Sequence, residues 1–184
     1  MDQRVRKTTN SIYRAFGECL KDKDYASLSV EDILRKAGVS RSTFYAHFKT
    51  KDDVLDSVSR NIFHHVFSHS LQQEETHDFS HDSILEYTHL FTHILYHLRD
   101  DKDLIQSVLR TSCRQRFLDE LRLQVRPLVE RCVKEGFFPK KDVPDELRIR
   151  HGVEGFATLI SYWFECGCDR TPEEMVANLL ELQA

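Results

Sequence analysis

The chain has 184 residues, a formal net charge of −4 and 40% hydrophobic residues, so it can bury a substantial core without a disulfide framework. Its five cysteines are an odd number in a mid-sized chain that shows no secretory signal, which favours reduced thiols in a cytoplasm. No apolar run approaches the roughly 18 residues of a membrane span, so we expect a soluble cytoplasmic protein with no membrane partner.

Charge is distributed unevenly along the chain. Residues 1–51 carry +5, with eleven Lys and Arg against six Asp and Glu, whereas residues 52–184 carry −9. A polyanion is therefore attracted to the first quarter of the chain and repelled by the remainder. The overall acidity does not argue against binding to double-stranded DNA.

The first helix is expected to follow a short basic arm. Met1–Lys7 contains Arg4, Arg6 and Lys7 and is expected to begin disordered. Helical spacing of apolar residues then continues to about Lys21, and a loop follows over residues 22–28. The predicted buried face consists of Ile12, Ala15, Phe16, Cys19 and Leu20.

The second helix has strong start and stop signals. Ser29 can cap it, with Asp32 three residues later as the reciprocal partner of a capping box. The helix is expected to end at Gly38, because glycine readily adopts the left-handed backbone conformation that follows the last turn of many helices. The apolar residues between these signals fall on one face: Val30, Ile33, Leu34 and Ala37.

A third helix follows after a turn of two residues. Ser40 can cap a helix from Arg41 to Phe48, in which Phe44 and Phe48 point inward at i, i+4 spacing. Two helices joined by a short turn that contains glycine form a helix-turn-helix, whose second helix can enter a DNA major groove.

Nearly every other side chain of this helix can form hydrogen bonds. Arg41 and Ser42 lie in the first turn, where base edges are reached, and Thr43 offers a hydroxyl to a phosphate or a methyl group to thymine. The alternative is a solvated helix face with ordinary polar residues. The predicted DNA-binding residues are Arg4, Lys7, Ser29, Ser40, Arg41, Ser42, Thr43, Tyr45, His47 and Lys51.

The run F-Y-x-H-F-x-x-K from Phe44 to Lys51, with Leu55 following, resembles the signature of the TetR (tetracycline repressor) family of bacterial transcriptional regulators. The resemblance extends from about Ile12 to Leu55 and includes A-G-V-S-x-x-T-F-Y-x-H-F. It implies a homodimer with an N-terminal DNA-binding domain and an all-helical C-terminal domain that senses a small-molecule effector. It also implies that the basic arm approaches the DNA backbone.

A long linker helix is predicted from about residue 51 to residue 71. Thr50 and Asp53 form a second possible capping box at its start. The first turn of this helix belongs to the helix-turn-helix and its last turn to the segment that follows, so it could transmit a change from one domain to the other. A polar loop is predicted over residues 72–82, with Ser80, Asp82 and Ser83 as possible caps for the next helix.

Three helices are then predicted, over residues 83–98, 102–110 and 115–134. Pro127 is expected to kink the last of these or to split it in two. We predict that the effector binds among these helices. The candidate pocket residues are Phe91, Leu95, Cys113 and Phe117.

Residues 146–166 form the most apolar predicted helix, with more apolar positions than one core-facing stripe requires. Burial against a twofold-related copy explains this excess, and the alternative is a helix buried inside one large core. Thr171 and Pro172 start the last helix, and the tail W-x-x-x-G followed by T-P-E-E resembles the C-terminal helices of a subgroup of TetR-like regulators. The predicted dimer-interface residues are Phe156, Ile160, Trp163, Phe164, Met175 and Leu179.

Histidines recur at helical spacing, as His89, His93 and His97 and as His65 and His69. Such residues can bind a transition metal, which leaves a metal-sensing regulator as an alternative. The row drifts around the helix by about 40° per step, however, so three ligands from one straight helix would not converge. Structural or surface roles are favoured, and we predict no metal and no cofactor.

Enzymatic motifs are absent from the sequence, including a glycine-rich phosphate loop and a G-x-S-x-G elbow. We therefore expect an all-α, non-enzymatic transcriptional regulator, a repressor that binds a palindromic operator as a homodimer. Residues 1–51 form the expected three-helix DNA-binding domain, and residues 52–184 form the effector-binding and dimerisation domain. A helix-turn-helix that binds other proteins is the alternative.

Overall fold

The computed structural model describes residues 3–68, 87–140 and 142–183. These residues form nine α-helices and one 3-10 turn, Tyr25–Ser27, and contain no β-strand, which confirms the all-α fold. The helices are α1 (Gln3–Asp22), α2 (Val30–Ala37), α3 (Arg41–Tyr45), α4 (Lys51–Ser68), α5 (Tyr87–Asp100), α6 (Lys102–Leu109), α7 (Arg114–Lys134), α8 (Asp145–Glu165) and α9 (Pro172–Gln183). None of the described helices is long and apolar enough to cross a membrane.

The chain divides into two compact units. The first unit contains Met1–Asn61 and Lys102–Phe117, and the second contains Ile62–Asp101 and Leu118–Ala184. The boundaries along the chain therefore fall within α4, between α5 and α6, and within α7. The functional division at residue 51 stays a prediction.

The core of the first unit is built around α1, which packs against both α2 and α6. Gly17 allows the close approach to α6, because a Cβ atom at this position would lie 2.8 Å from Cδ1 of Leu104. Burial of apolar side chains from α1 to α4 stabilises this core. Its most buried members include Ile12, Phe16, Ile33, Phe44, Val54, Leu55 and Val58.

The predicted capping boxes of α2 and α4 are confirmed. The Ser29 hydroxyl accepts a hydrogen bond from Asp32 N at 3.2 Å, and the Asp32 carboxylate accepts one from Ser29 N at 3.1 Å. At the start of α4, Thr50 and Asp53 form the same reciprocal pair, with N–H to oxygen distances of 2.9 and 3.1 Å. Local side-chain to backbone bonds therefore set the helix starts on both sides of α3.

Two predicted boundaries were wrong. α1 begins at Gln3, so the basic arm is helical from that residue onward, and α3 ends at Tyr45 instead of Phe48. α7 is one helix that runs through Pro127, so the proline does not split it. The kink predicted at Pro127 stays a prediction, and the proline leaves the carbonyl of Leu123 without its helical donor. The predictions for residues 69–86, which include the loop and its caps, lie outside the described residues.

The second unit packs α9 against α5 and α8. Its core contains a group of aromatic rings, in which Phe91 lies 5.6 Å from Phe156 and 6.5 Å from Phe138, centroid to centroid. Trp163 is 1% exposed and donates its indole N–H to the carbonyl of Arg170 at 2.9 Å. The indole thereby holds the turn before α9.

Candidate nucleic-acid interface

The turn between α2 and α3 has a backbone conformation that favours glycine. Gly38 has φ 65° and ψ 31°, and a Cβ atom there would meet nothing within 4 Å, so conformation and not space selects glycine. Val39 N donates to the carbonyl of Leu34 at 3.3 Å, and the Ser40 hydroxyl accepts from Thr43 N at 3.2 Å. α3 therefore starts directly after a short turn with defined geometry.

Two phenylalanines anchor this segment in the core. Phe44 is 0% exposed and Phe48 is 6% exposed, and their rings lie 5.7 Å apart. Tyr45 is 52% exposed, although its ring meets the edge of Phe44 at 5.5 Å. The aromatic side chains are thus divided between the core and the surface as the i, i+4 pattern indicates.

The polar side chains of α3 and its cap lie on the surface. Arg41 and Ser42 are exposed, and Thr43 and His47 are partly buried. The Ser40 hydroxyl lies 3.0 Å from the Ser42 hydroxyl and 2.8 Å from the Thr43 hydroxyl. Ser40 is therefore held by its role as a helix cap, whereas Ser42 remains accessible.

Arg41 is paired with Glu31, a residue of α2 that the sequence analysis did not single out. Its guanidinium donates from Nε to Glu31 Oε1 at 2.9 Å and also from Nη2 to the same oxygen. The two side chains are 69% and 57% exposed. The hydrogen bond from Arg41 and the negative charge of Glu31 raise the pKa of the guanidinium above its ordinary value.

Lys51 makes contacts within the chain that differ from its predicted phosphate contact. Its ammonium group donates to the carbonyls of Tyr25, Ala26 and Leu28 at 2.7, 3.3 and 2.8 Å, and it lies over the Tyr25 ring. An ammonium group has three donors, and here all three are used. This geometry favours a structural role in which Lys51 fixes the loop before α2.

The loop before α2 is also joined to the first turn of α4, and α4 is in turn joined to the first turn of α7. The Tyr25 hydroxyl donates to Asp52, and burial together with this carboxylate raises the pKa of Tyr25. Arg116 donates from Nε and Nη2 to the two oxygens of Asp56 at 2.8 and 2.7 Å. Bidentate pairs of this kind are the strongest class of ion pair.

A second contact joins the loop before α2 to the turn between α6 and α7. Asp24 accepts hydrogen bonds from Ser112 N at 2.9 Å and from the Ser112 hydroxyl at 2.6 Å. These bonds lower the pKa of Asp24. Within the first unit, the start of α7 is therefore attached both to α4 and to the loop before the helix-turn-helix.

The remaining predicted DNA contacts differ in accessibility. Lys7 is exposed on α1, and Arg4 also lies in α1 but its side chain is outside the described residues. Ser29 is exposed, with its hydroxyl donating to Asp32 at 2.7 Å.

Lys36 and Lys49 are exposed cations that the sequence analysis missed. No hydrogen bond joins either ammonium group to another described residue. Both lysines lie in segments that flank α3, so a search for phosphate contacts within α3 itself does not find them.

The four predicted effector-pocket residues are buried and fall into both units. Phe91 and Leu95 belong to the second unit, and Cys113 and Phe117 belong to the first. The Cys113 thiol lies 3.0 Å from the Thr111 hydroxyl, and burial raises the pKa of the thiol. A ligand pocket at these residues stays a prediction.

The six predicted dimer-interface residues form part of the core of their own chain. Phe156, Ile160, Trp163, Phe164, Met175 and Leu179 are each at most 1% exposed. Within the single chain the second unit already covers them, and their assignment to a dimer interface stays a prediction. The exposed positions of α8 are Leu147, Arg150, His151, Glu154, Thr158 and Tyr162, together with residues at its ends.

The histidine row is split between surface and core. His89 is exposed, whereas His93 and His97 are 3% and 5% exposed, with their Nε2 atoms 3.1 Å apart. No group of three or more potential metal ligands occurs among the described residues. The side chain of His65 and all of His69 lie outside that part of the chain.

Two protein-family models match most of the chain. Residues 12–58 match the model described as bacterial regulatory proteins, tetR family, and residues 86–183 match a transcriptional regulator C-terminal region. The HTH-type transcriptional regulator YxbF of Bacillus subtilis is 33% identical over 70 residues, which are 38% of this chain and 18% of that relative. The match therefore spans about a fifth of the length of that relative.

Solved structures resemble the whole chain. A TetR transcriptional regulator from Streptococcus agalactiae is 26% identical, with a TM-score of 0.73 and coverage of 99% of this chain and 96% of that one. DhaS, a dihydroxyacetone kinase operon activator, is 16% identical, with a TM-score of 0.65 and coverage of 96% and 93%. At that identity, the likeness to DhaS concerns the fold alone.

Proposed function

Because the chain belongs to the TetR family of transcriptional regulators and carries its DNA-binding helix-turn-helix, we propose that it represses transcription by binding a palindromic operator as a homodimer. A small-molecule effector modulates this binding. The protein acts in the cytoplasm, where it meets operator DNA, and it has no enzymatic role.

The observation that carries the proposal is the accessible polar side of α3. Phe44 and Phe48 anchor the segment while Arg41, Ser42 and Tyr45 remain exposed. Residues 1–51 carry +5, so the DNA backbone is attracted to the same part of the chain. Positive charge draws the phosphates and the exposed side chains contact the bases.

We assign DNA binding and effector binding to different parts of the chain. Residues 1–51 bind DNA, residues 52–184 bind the effector and the second copy, and the helix from about residue 51 to residue 71 links them. α7 continues along the chain from the first unit into the second. A displacement of α7 would act on α4 through Arg116 and Asp56, which lie 2.7 Å apart.

Modulation by an effector needs only modest energy. A coupling of about 1–3 kcal/mol between effector and operator changes operator affinity by roughly 5- to 150-fold. Displacing α4 would alter the separation of the two α3 helices. Successive major grooves require a separation of about 34–36 Å, so even a small change weakens binding.

The proposed dimer surface is the exposed side of α8 and α9. Leu147, Tyr162 and Leu182 are 56%, 52% and 64% exposed. Large apolar side chains at such exposure in two adjacent helices suit an isologous contact with a second copy. The six interface residues predicted from the sequence are buried within the single chain, so we place the direct contact with a second copy on this exposed surface.

Selection of bound fragments from the source genome tests the proposed function. Purified protein is mixed with sheared DNA, bound fragments are sequenced, and a reporter is placed under each selected promoter. We expect a shared inverted repeat and higher reporter expression when the regulator gene is deleted. Lower expression after deletion would contradict repression, and the absence of any enriched sequence would contradict operator binding.

A further inference from the structure

The pair formed by Arg41 and Glu31 leaves one edge of the guanidinium open. Both bonds to Glu31 Oε1 come from the side that carries Nε and Nη2. A guanidinium has five N–H donors in a planar fork, so the Nη1 hydrogens and the second Nη2 hydrogen remain. Glu31 thus occupies the edge of the guanidinium formed by Nε and Nη2, and the edge formed by Nη1 and Nη2 remains available to a ligand.

That open end matches the acceptors of one base. Arginine binds guanine through two parallel hydrogen bonds to O6 and N7 in the major groove, and this is the commonest specific protein contact to DNA bases. Arg41 is the first residue of α3, and the N-terminal residues of a recognition helix reach base edges. We propose that Glu31 is a positioning residue for base recognition, holding the Arg41 guanidinium so that its free edge reads a guanine.

This inference rests on the proposed operator binding and adds a residue to it. A mobile arginine binds any phosphate that it reaches, which strengthens binding to every sequence equally. A guanidinium held at one edge has fewer orientations, so more of its binding free energy depends on the base that it meets. The Glu31 carboxylate also repels nearby phosphates, and it therefore improves discrimination more than affinity.

Glu31 has a purely structural explanation that the test must separate. It lies in the first turn of α2, where an acidic side chain stabilises the helix. That role would affect thermal stability and leave base preference unchanged. Glu31→Gln keeps the size of the exposed side chain and removes its charge, so folding should be preserved.

The experiment measures binding of the selected operator and of variants with each base pair replaced in turn. We expect wild type to lose roughly 5- to 150-fold in affinity at one G·C pair, as a bidentate contact implies, and Arg41→Gln to lose this discrimination. Glu31→Gln should lose at least about threefold of the discrimination at the same pair while binding unrelated DNA more tightly. The double variant should discriminate no worse than Arg41→Gln alone.

Glu18→Gln is the matched control, because Glu18 is a partly exposed acidic residue that pairs with Lys21 in α1. It should leave the base preference unchanged. A Glu31→Gln profile identical to wild type, or changed only at a different base pair, would overturn the positioning role. Failure of wild type to select any sequence would instead overturn the proposed function, so the two failures are distinguishable.

Discussion

The ammonium nitrogen of Lys51 lies 2.7 Å from the carbonyl oxygen of Tyr25 and 4.6 Å from the centroid of its ring. This contact joins the first residue of α4 to the 3-10 turn that precedes α2. Because the same ammonium group also donates to the carbonyls of Ala26 and Leu28, one side chain fixes the loop that leads into α2, the first helix of the helix-turn-helix.

Lys51→Met should therefore destabilise the protein. It keeps much of the side-chain volume but removes the ammonium group that donates to three carbonyls. Losing hydrogen bonds to a charged group should reduce the free energy of unfolding by about 1–3 kcal/mol. Urea unfolding followed by circular dichroism measures this loss. Unchanged stability, accompanied by weaker DNA binding, would show that Lys51 contacts phosphate instead.

Lys49→Met should affect DNA binding and leave stability intact, because Lys49 is exposed. Loss of one phosphate contact weakens binding to all sequences and lowers the salt slope of log K by about 0.9. Titrations at several salt concentrations measure the slope. Lys134→Met, at an exposed lysine near the end of α7, is the control and should leave the slope unchanged; equal slopes for Lys49→Met and wild type would refute the contact.

The local features of the helix-turn-helix could be predicted from the sequence because their partners are close along the chain. Ser29 and Asp32 are three residues apart, and the turn needs only the left-handed conformation of Gly38. The pairs Arg41–Glu31 and Arg116–Asp56 join residues 10 and 60 positions apart. No periodic pattern encodes such pairs, which depend on how the helices pack.

The surface that contacts a second copy is difficult to predict from sequence for a related reason. Apolar spacing in the last two helices indicates which side chains are buried, but it does not indicate what buries them. Phe156 and Trp163 are covered by their own chain, and Tyr162 is 52% exposed. The proposed partner surface is a small set of apolar side chains on an otherwise polar face, which is a weaker signal in sequence.

Asp32 should make stability dependent on acidic pH. Hydrogen bonds from Lys23 and Ser29 lower the pKa of its carboxyl below the ordinary value. A carboxyl group whose pKa is lower in the native state than in the unfolded state stabilises the fold while it is ionised. This stabilisation is fully present above the unfolded-state pKa of about 3.9, and it is lost as the pH falls from that value towards the native pKa. The difference in melting temperature between wild type and Asp32→Asn should be constant above about pH 5 and shrink towards pH 3. A difference that does not vary with pH would contradict the assigned ion pair.

Leu182→Glu and Tyr162→Glu should each convert a dimer into monomers without unfolding them. Both positions are exposed in the single chain, so the charge disrupts only a contact with a partner. Leu123→Glu, at a residue of α7 with the same 64% exposure as Leu182, is the matched control. Sedimentation velocity should show monomers for the first two variants and dimers for the control; dimers for all three would place the interface elsewhere.

The most direct test of the account is hydroxyl-radical footprinting of the selected operator, combined with the mass of the complex. Two copies of the chain should bind one duplex and protect two inverted half-sites whose centres are about 34–36 Å apart, as two α3 helices in successive major grooves require. One copy on one half-site, or protection without symmetry, would contradict a dimer that reads a palindrome.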